Sequence, residues 1–387
     1  MEKVFKFNGK KIFVCSLGLY FVCLILGAMN IGEFGSMLKV LAALPVGIWL
    51  MQRHLIVTNK LLLWASLFVC CCTVSYVWSI APEESVIRIG TQILYLLMLV
   101  AASSYSYNLA QIVFLKKSLV WSSRVTAIVV LLSGSYYQGR IYLSGIIQED
   151  PNYLCAYFLF GISVALNTAL DSKILKQKLV AVAELVIYTY IIIGSGSRGG
   201  LFAVLVCALI VFFSYEQGHN ILKSISKKVA MIIVISSVAF VASSFISGEI
   251  LQRFALETLI ESNGTGRFGL WRDALNAFSD SGILRQLFGY GTASARAITW
   301  IFPFERHNVF HNIFIEVLLE IGVIGLIAYG LHIFSMIDFT FKRKEYFAFS
   351  VVVGMLILSL STSIAAFKPY WNIAMYIFCI GNMGKRE

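Results

Sequence analysis

Of the 387 residues, 59% are hydrophobic and 13% charged, about half the charged share of a soluble domain. This excludes a soluble globular enzyme and points to a chain built for the bilayer. The net charge of +11 needs no nucleic acid to explain it, because a surplus of lysine on one face is how membrane proteins fix their orientation. All eight cysteines fall in apolar runs, which argues against a disulfide framework or a zinc site.

In chain order, apolar runs that approach or reach bilayer-crossing length lie at 12–30, 37–52, 61–80, 86–104, 118–134, 152–170, 179–194, 199–214, 229–247, 311–336, 345–365 and 369–383. The predicted fold is all-α: a polytopic membrane protein of about 12 transmembrane helices with one large extracytoplasmic loop containing short amphipathic helices. It divides into 1–247 with spans one to nine, the loop 248–310, and 311–387 with spans ten to twelve. Twelve spans put both termini on one face. The lysines then sort to that face almost entirely, from Lys3, Lys6, Lys10 and Lys11 through Lys116, Lys117, Lys173, Lys223 and Lys342 to Lys385. The other face keeps Arg140, Arg198, the loop arginines, Lys39 and Lys368. The charged start, Met1 to Lys11, resembles the lead of a signal peptide, but no clear small-residue cleavage pattern follows it, and the loop charges balance with the segment retained.

Three elements on the lysine-poor face differ from plain connections. The first, Ser135 to Asn152, carries Arg140 and ends in Glu149-Asp150-Pro151-Asn152. That tetrapeptide reads as a helix start, capped by Asp150 or Asn152 with Pro151 in the first turn. Arg140 and Asn152 are also candidates to line a substrate site. The second is the turn Gly194-Ser195-Gly196-Ser197-Arg198-Gly199-Gly200, whose backbone amides suit an anion. Arg198 there runs against the topology bias.

The third is the loop from 248 to 306, far longer than an ordinary connection. It holds six arginines, six acidic residues and no lysine. Two amphipathic helices are expected in it. One would use Ile250, Leu251, Phe254 and Leu259 as its apolar stripe, and the other Phe268, Trp271, Leu275 and Phe278. Gly289-Tyr290-Gly291 reads as a flexible turn. Guanidinium binds phosphate through paired hydrogen bonds where lysine is a point charge, and Arg267, on the helix bearing Trp271, is the strongest loop candidate. His307 and His311 stand four residues apart at the mouth of span ten, a spacing at which both rings could share a helical face. They lack the glutamate of a His-Glu-x-x-His zinc motif.

Gly266-Arg267-x3-Trp271, His311-Asn312-x9-Gly322-x2-Gly325, Ser197-Arg198-Gly199 and Asp150-Pro151-Asn152, in this order and topology, resemble the bacterial O-antigen polymerase and O-antigen ligase superfamily. The resemblance implies a glycosyltransferase of the bacterial inner membrane that uses neither metal nor cofactor and takes glycan from undecaprenyl diphosphate on the extracytoplasmic face. A polymerase passes it to another lipid-linked repeat unit of an O-antigen or capsule-type polysaccharide; a ligase passes it to a lipid core. Further partners implied are membrane lipid and the chain-length regulator and flippase of the same pathway.

Under this reading Arg198 and Arg267 hold the diphosphate, and His311 accepts the acceptor hydroxyl's proton. Arg140 meets the second phosphate or the glycan, and Asn312 orients His311 or binds sugar. Trp271 or Tyr290 stacks on a pyranose, Asn152 and His307 line the substrate, and Gly322 and Gly325 permit close packing. Leu326-Ile327-Ala328, where some ligases have small residues or proline, favours polymerase. The competing class is a lipid-linked oligosaccharide flippase or secondary transporter, in which polar groups sit at mid-membrane or on interrupted helices.

Overall fold

The structure, a computed structural model, describes residues 9–30, 36–52, 59–137, 140–214, 266–304 and 307–384, with scattered positions between 226 and 255. Its first half contains α1 (Gly9–Val22), α2 (Met37–Gln52), α3 (Lys60–Val74), α4 (Pro82–Ser103), α5 (Leu109–Ser133), α6 (Pro151–Asp171), α7 (Leu175–Gly194) and α8 (Arg198–Ser214). A single turn, α9 (Gly248–Gln252), precedes α10 (Arg267–Ser279), α11 (Ile283–Phe288) and α12 (Ala295–Ile301). The chain ends with α13 (Ile313–Lys342), α14 (Tyr346–Ser359) and α15 (Lys368–Gly381).

Eleven of the apolar runs coincide with helices among the described residues; the run 229–247 is described only in part, helical at the described positions from 229 to 241, and Leu259, Arg306 and the terminal Lys3, Lys6 and Lys385 lie outside the described residues. Among the described residues five stretches are long and apolar enough to cross a membrane: Lys60–Trp78, Pro82–Ser103, Pro151–Asp171, Leu175–Gly194 and Ile313–Lys342. Met37–Gln52, Arg198–Ser214 and Tyr346–Ser359 are apolar but shorter. Helix α5 starts nine residues before the expected 118, because Asn108 and Gln111 form a reciprocal capping box.

Hydrogen bonds and bridges between distant segments sort to two ends of the bundle. At one end Tyr107 bridges Met383, Tyr105 bonds Gln52 and Lys10 bonds Ser106. There lie Lys10, Lys11, Lys60, Lys173 and Lys342. At the other end Met29 bridges Ile147, Ser75 bonds Thr292 and Tyr153 bonds Ser363. That second end gathers the N-termini of α2, α4, α6, α8, α13 and α15, and it holds the elements singled out from sequence.

Between α5 and α6 the chain is not plain loop. Ser135–Tyr137, Arg140–Ser144 and Gln148–Glu149 form a small antiparallel sheet (β1, β2 and β3) in the order β1-β2-β3, with Tyr136 opposite Ile141 and Leu143 opposite Glu149. Ile141 and Leu143 of β2 are buried, so the sheet sits on the bundle end and holds Arg140 against it. Helix α15 fills the centre: Pro369 through Ile380 are all buried, with Trp371 stacked on Tyr95 at 5.4 Å.

The 266–304 region builds its own small core from Leu270, Ala274, Ala277, Tyr290, Ile298, Phe304 and Phe310. This corrects the expected stripe: α10 buries Leu270, Ala274 and Ala277, while Phe268 and Leu275 are exposed. Small alanines let the helix approach closely, so the largest side chains do not mark the packed face. Gly289-Tyr290-Gly291 is also no flexible turn. The Tyr290 and Gly291 amides donate to Leu319 O at 2.9 Å and Glu320 O at 2.7 Å, carbonyls freed because α13 breaks at Gly322 (φ 72°, ψ −172°). A Cβ on Gly322 would stand 2.2 Å from Leu287 O, so here backbone lies directly on backbone. The kink is an anchor for the loop, and Gly322 is the residue that permits it.

Candidate active site

The site is built where helix starts converge. Asp150 is the N-cap of α6: its Oδ1 accepts from the Asn152 amide and from Asn152 Nδ2, both at 2.7 Å. Asn152 Oδ1 in turn accepts from Arg140 Nη2 at 3.3 Å, and Arg140 Nε donates to Ser195 O at 2.6 Å. Helix start and site wall are therefore one structure. In the next turn Gly196 takes φ +61°, and Ser197 Oγ accepts the Gly200 amide to start α8. Arg198 at that start donates from Nε to Arg253 O at 2.6 Å.

Arg140, Asn152, Gly196, Arg198 and Arg253 line one cavity of about 340 Å³ with Arg267, Phe268 and Trp271 of α10 and with Ser361. Four guanidiniums (Arg140, Arg198, Arg253 and Arg267) meet there, and no acidic side chain is among the described lining residues. The starts of α6, α8 and α10 contribute to the wall, and helix N-termini add partial positive charge of their own. The arrangement is short of negative charge. Burial lowers the pKa of Arg140, repulsion from Arg253 lowers it further, and Asp150 works against both. Arg253 Nε is buried and has no hydrogen-bond partner among the described residues.

Trp271 Nε1 donates to Phe310 O at 2.8 Å, tying α10 to the segment that delivers His311. His311 is half-buried with φ +52°, and Asn312 behind it caps α13 by accepting the Phe314 and Ile315 amides. Burial lowers the His311 pKa below its usual value, as does Arg267, while Asp150 raises it. The balance favours the neutral imidazole, and both Arg267 of the cavity and Asp150 beside it act on the ring.

Five sequence candidates, Arg140, Asn152, Arg198, Arg267 and Trp271, line the cavity, with His311 in reach of Arg267. Three others lie elsewhere. Tyr290 is buried in the small core, its hydroxyl 2.6 Å from Ser281 Oγ and its ring under Arg285. Asn312 is buried with its oxygen engaged in the helix cap. His307 stacks on Trp300 at 3.6 Å and bonds Thr299 O through Nδ1. The two histidines share no helical face, because 307–312 is not helical and α13 begins at Ile313.

Arg253 and Ser361 are lining residues that sequence reading had not singled out. Arg253 was one of six loop arginines with nothing to rank it. Ser361 belongs to the polar break Ser361-Thr362-Ser363 between α14 and α15, a signal available in the sequence. Among the described residues no three His, Cys, Asp or Glu side chains group as metal ligands would.

No curated protein matches the chain. A family model described as O-Antigen ligase matches residues 183–330, a stretch that contains Arg198, Arg253, Arg267, Trp271, His311 and Gly322. That stretch is similar to the O-antigen ligase family, and the similarity supports the resemblance carried by the sequence motifs.

Proposed function

We propose that the protein polymerises lipid-linked oligosaccharide repeat units, transferring glycan from undecaprenyl diphosphate on the extracytoplasmic face of the bacterial inner membrane. The observation that carries the reading is the cavity with four arginines and, among its described lining residues, no carboxylate, a site that is electrostatically incomplete without an anion. In the reaction an acceptor hydroxyl oxygen attacks the anomeric carbon of the donor. The bond from that carbon to the phosphate oxygen breaks, and the diphosphate leaves with the electron pair. Its growing negative charge meets guanidiniums already in place, which is the electrostatic contribution that speeds such a step. The proton released from the hydroxyl goes to the neutral His311 imidazole. No metal is needed in this scheme.

The sorting of lysines to one end of the bundle and the arginine cavity to the other supports an orientation with the cavity outside and the lysine end in the cytoplasm. With the 229–247 run included, that orientation is the twelve-span plan with cytoplasmic termini and 248–310 outside. The broken helix α13, with Glu316 and Glu320 buried, is a feature a flippase would share. Its freed carbonyls are, however, occupied by the Tyr290 and Gly291 amides, so the break anchors the loop that carries α10. The ligase reading differs only in the acceptor. A deletion strain examined by glycan ladder decides: only single repeats on the surface means polymerase, whereas full-length lipid-linked polymer that never reaches a lipid core means ligase. A normal surface ladder would sink both.

A further inference from the structure

Lys39 and Lys368 are the two lysines that the topology puts on the arginine-bearing side, and the structure brings them together. They line a second cavity of about 810 Å³ with Arg88, Arg296, Glu84 and Trp300, and the two ammonium charges are close enough to act on one another. Both sit in the first turn of a helix, Lys39 in α2 and Lys368 as the opening residue of α15. A cation there is opposed by the helix dipole. Each lysine is thus opposed by its helix and by the charge bias of its side, and the two share one cavity wall, costs that an anion between them would relieve.

The rest of the lining defines that anion. Arg88 is held by Glu320 at 3.1 Å, and the Glu149 carboxylate partly balances the charge of Lys368. Arg296 is exposed at the rim with Glu84. Trp300 stacks on His307 on one side yet remains 67% exposed, an aromatic platform of the kind that receives a sugar face. Ile87, Tyr95 and Val309 add apolar wall. Cations, an open indole and apolar surface together fit a phosphorylated lipid that carries sugar. The two cavities also share a wall. Glu149 acts on Lys368, whereas its neighbour Asp150 acts on Arg140, Arg267 and His311. The segment 361–368 lines one cavity through Ser361 and the other through Ala366 and Lys368.

We propose that this second cavity binds the diphosphate of a second lipid-linked glycan, with Lys39 and Lys368 on the phosphate oxygens and Trp300 against the first sugar. Its identification as the acceptor's site rests on the polymerase reading, in which donor and acceptor are lipid diphosphates present together.

The test counts lipids bound to the full chain in neutral phosphatidylcholine nanodiscs by native mass spectrometry, with a short-chain polyprenyl diphosphate N-acetylglucosamine as probe. Wild type should bind two. Lys39→Gln/Lys368→Gln should lose one, its apparent affinity falling at least tenfold. Arg198→Ala/Arg267→Ala should lose the other, and Lys39→Arg/Lys368→Arg should keep both. A single bound probe in wild type, removed by the arginine pair alone, would overturn the proposal. So would displacement of the second probe by equimolar phosphatidylglycerol, which would make the cavity a general headgroup site. If two probes bind as expected but the deletion strain shows a ligase ladder, the functional reading fails and the second site stands.

Discussion

Replacing Gly322 by alanine tests the joint that positions the site. The new Cβ would stand 2.2 Å from Leu287 O, 2.3 Å from Leu287 C and 2.5 Å from Phe288 N, all backbone atoms that cannot swing aside. At φ 72° and ψ −172° the residue also occupies a region held almost solely by glycine, which costs a side-chain-bearing residue about 1–3 kcal/mol. Overpacking adds about 1–3 kcal/mol, for a total of about 2–6 kcal/mol if the clamp holds. If it opens instead, the Tyr290 and Gly291 hydrogen bonds to α13 are lost and α11 moves off the kink. Gly330→Ala, eight residues on in the same helix, meets nothing within 4 Å and should be neutral or slightly stabilising. Thermal unfolding of both variants in one detergent should show Gly322→Ala lower by several degrees and Gly330→Ala unchanged or higher. Equal unfolding temperatures would refute the reasoning that backbone contact at Gly322 holds the loop.

Three further outcomes follow from the site. The rate should fall on an acid limb displaced below the ordinary imidazole range, because burial and Arg267 lower the His311 pKa. Removing the nearby positive charge with Arg267→Gln should move the limb of the residual activity to higher pH, and removing the negative one with Asp150→Asn should move it lower, because Arg267 lowers and Asp150 raises the His311 pKa. At Asp150 itself, asparagine should preserve stability by keeping the cap, whereas alanine should cost about 1 kcal/mol, read by thermal unfolding. Glu320→Ala strands Arg88, whose side chain is only 25% exposed, and should cost on the order of 3 kcal/mol; Arg88→Met/Glu320→Leu should recover most of it in the same assay.

What the sequence could show depended on which force set each feature. Helix positions followed apolar run length, and α6 was legible to the cap, because Asp150, Pro151 and Asn152 act within one turn. The meeting of Arg140, Arg198 and Arg267 was readable from loop order and charge bias, since cations that oppose the bias need a reason to be there. Trp271 followed Arg267 by helical spacing. The misses all involve tertiary contact. Tyr290 looked like a site aromatic beside glycines, but the glycines serve the backbone clamp at Gly322 and the ring fills a small core. The predicted stripe on α10 weighted large side chains over the alanines that pack. The alternation of Ile141 and Leu143 with polar neighbours carries the signal for β2, but strands of two to five residues are too short to stand out by periodicity beside long apolar spans. His307 and His311 have helical spacing in the sequence, but they lie in a segment that precedes the Asn312 cap and is not helical.

The central claim is that the arginine cavity holds the leaving diphosphate while His311 accepts the proton. Its most direct test is the elongation rate of purified protein on lipid-linked repeat units, with Arg267→Ala and His311→Ala compared at matched protein levels. Each is expected to slow elongation by about 100-fold or more with unfolding temperatures near wild type. Elongation within a few-fold of wild type in either variant would contradict the account.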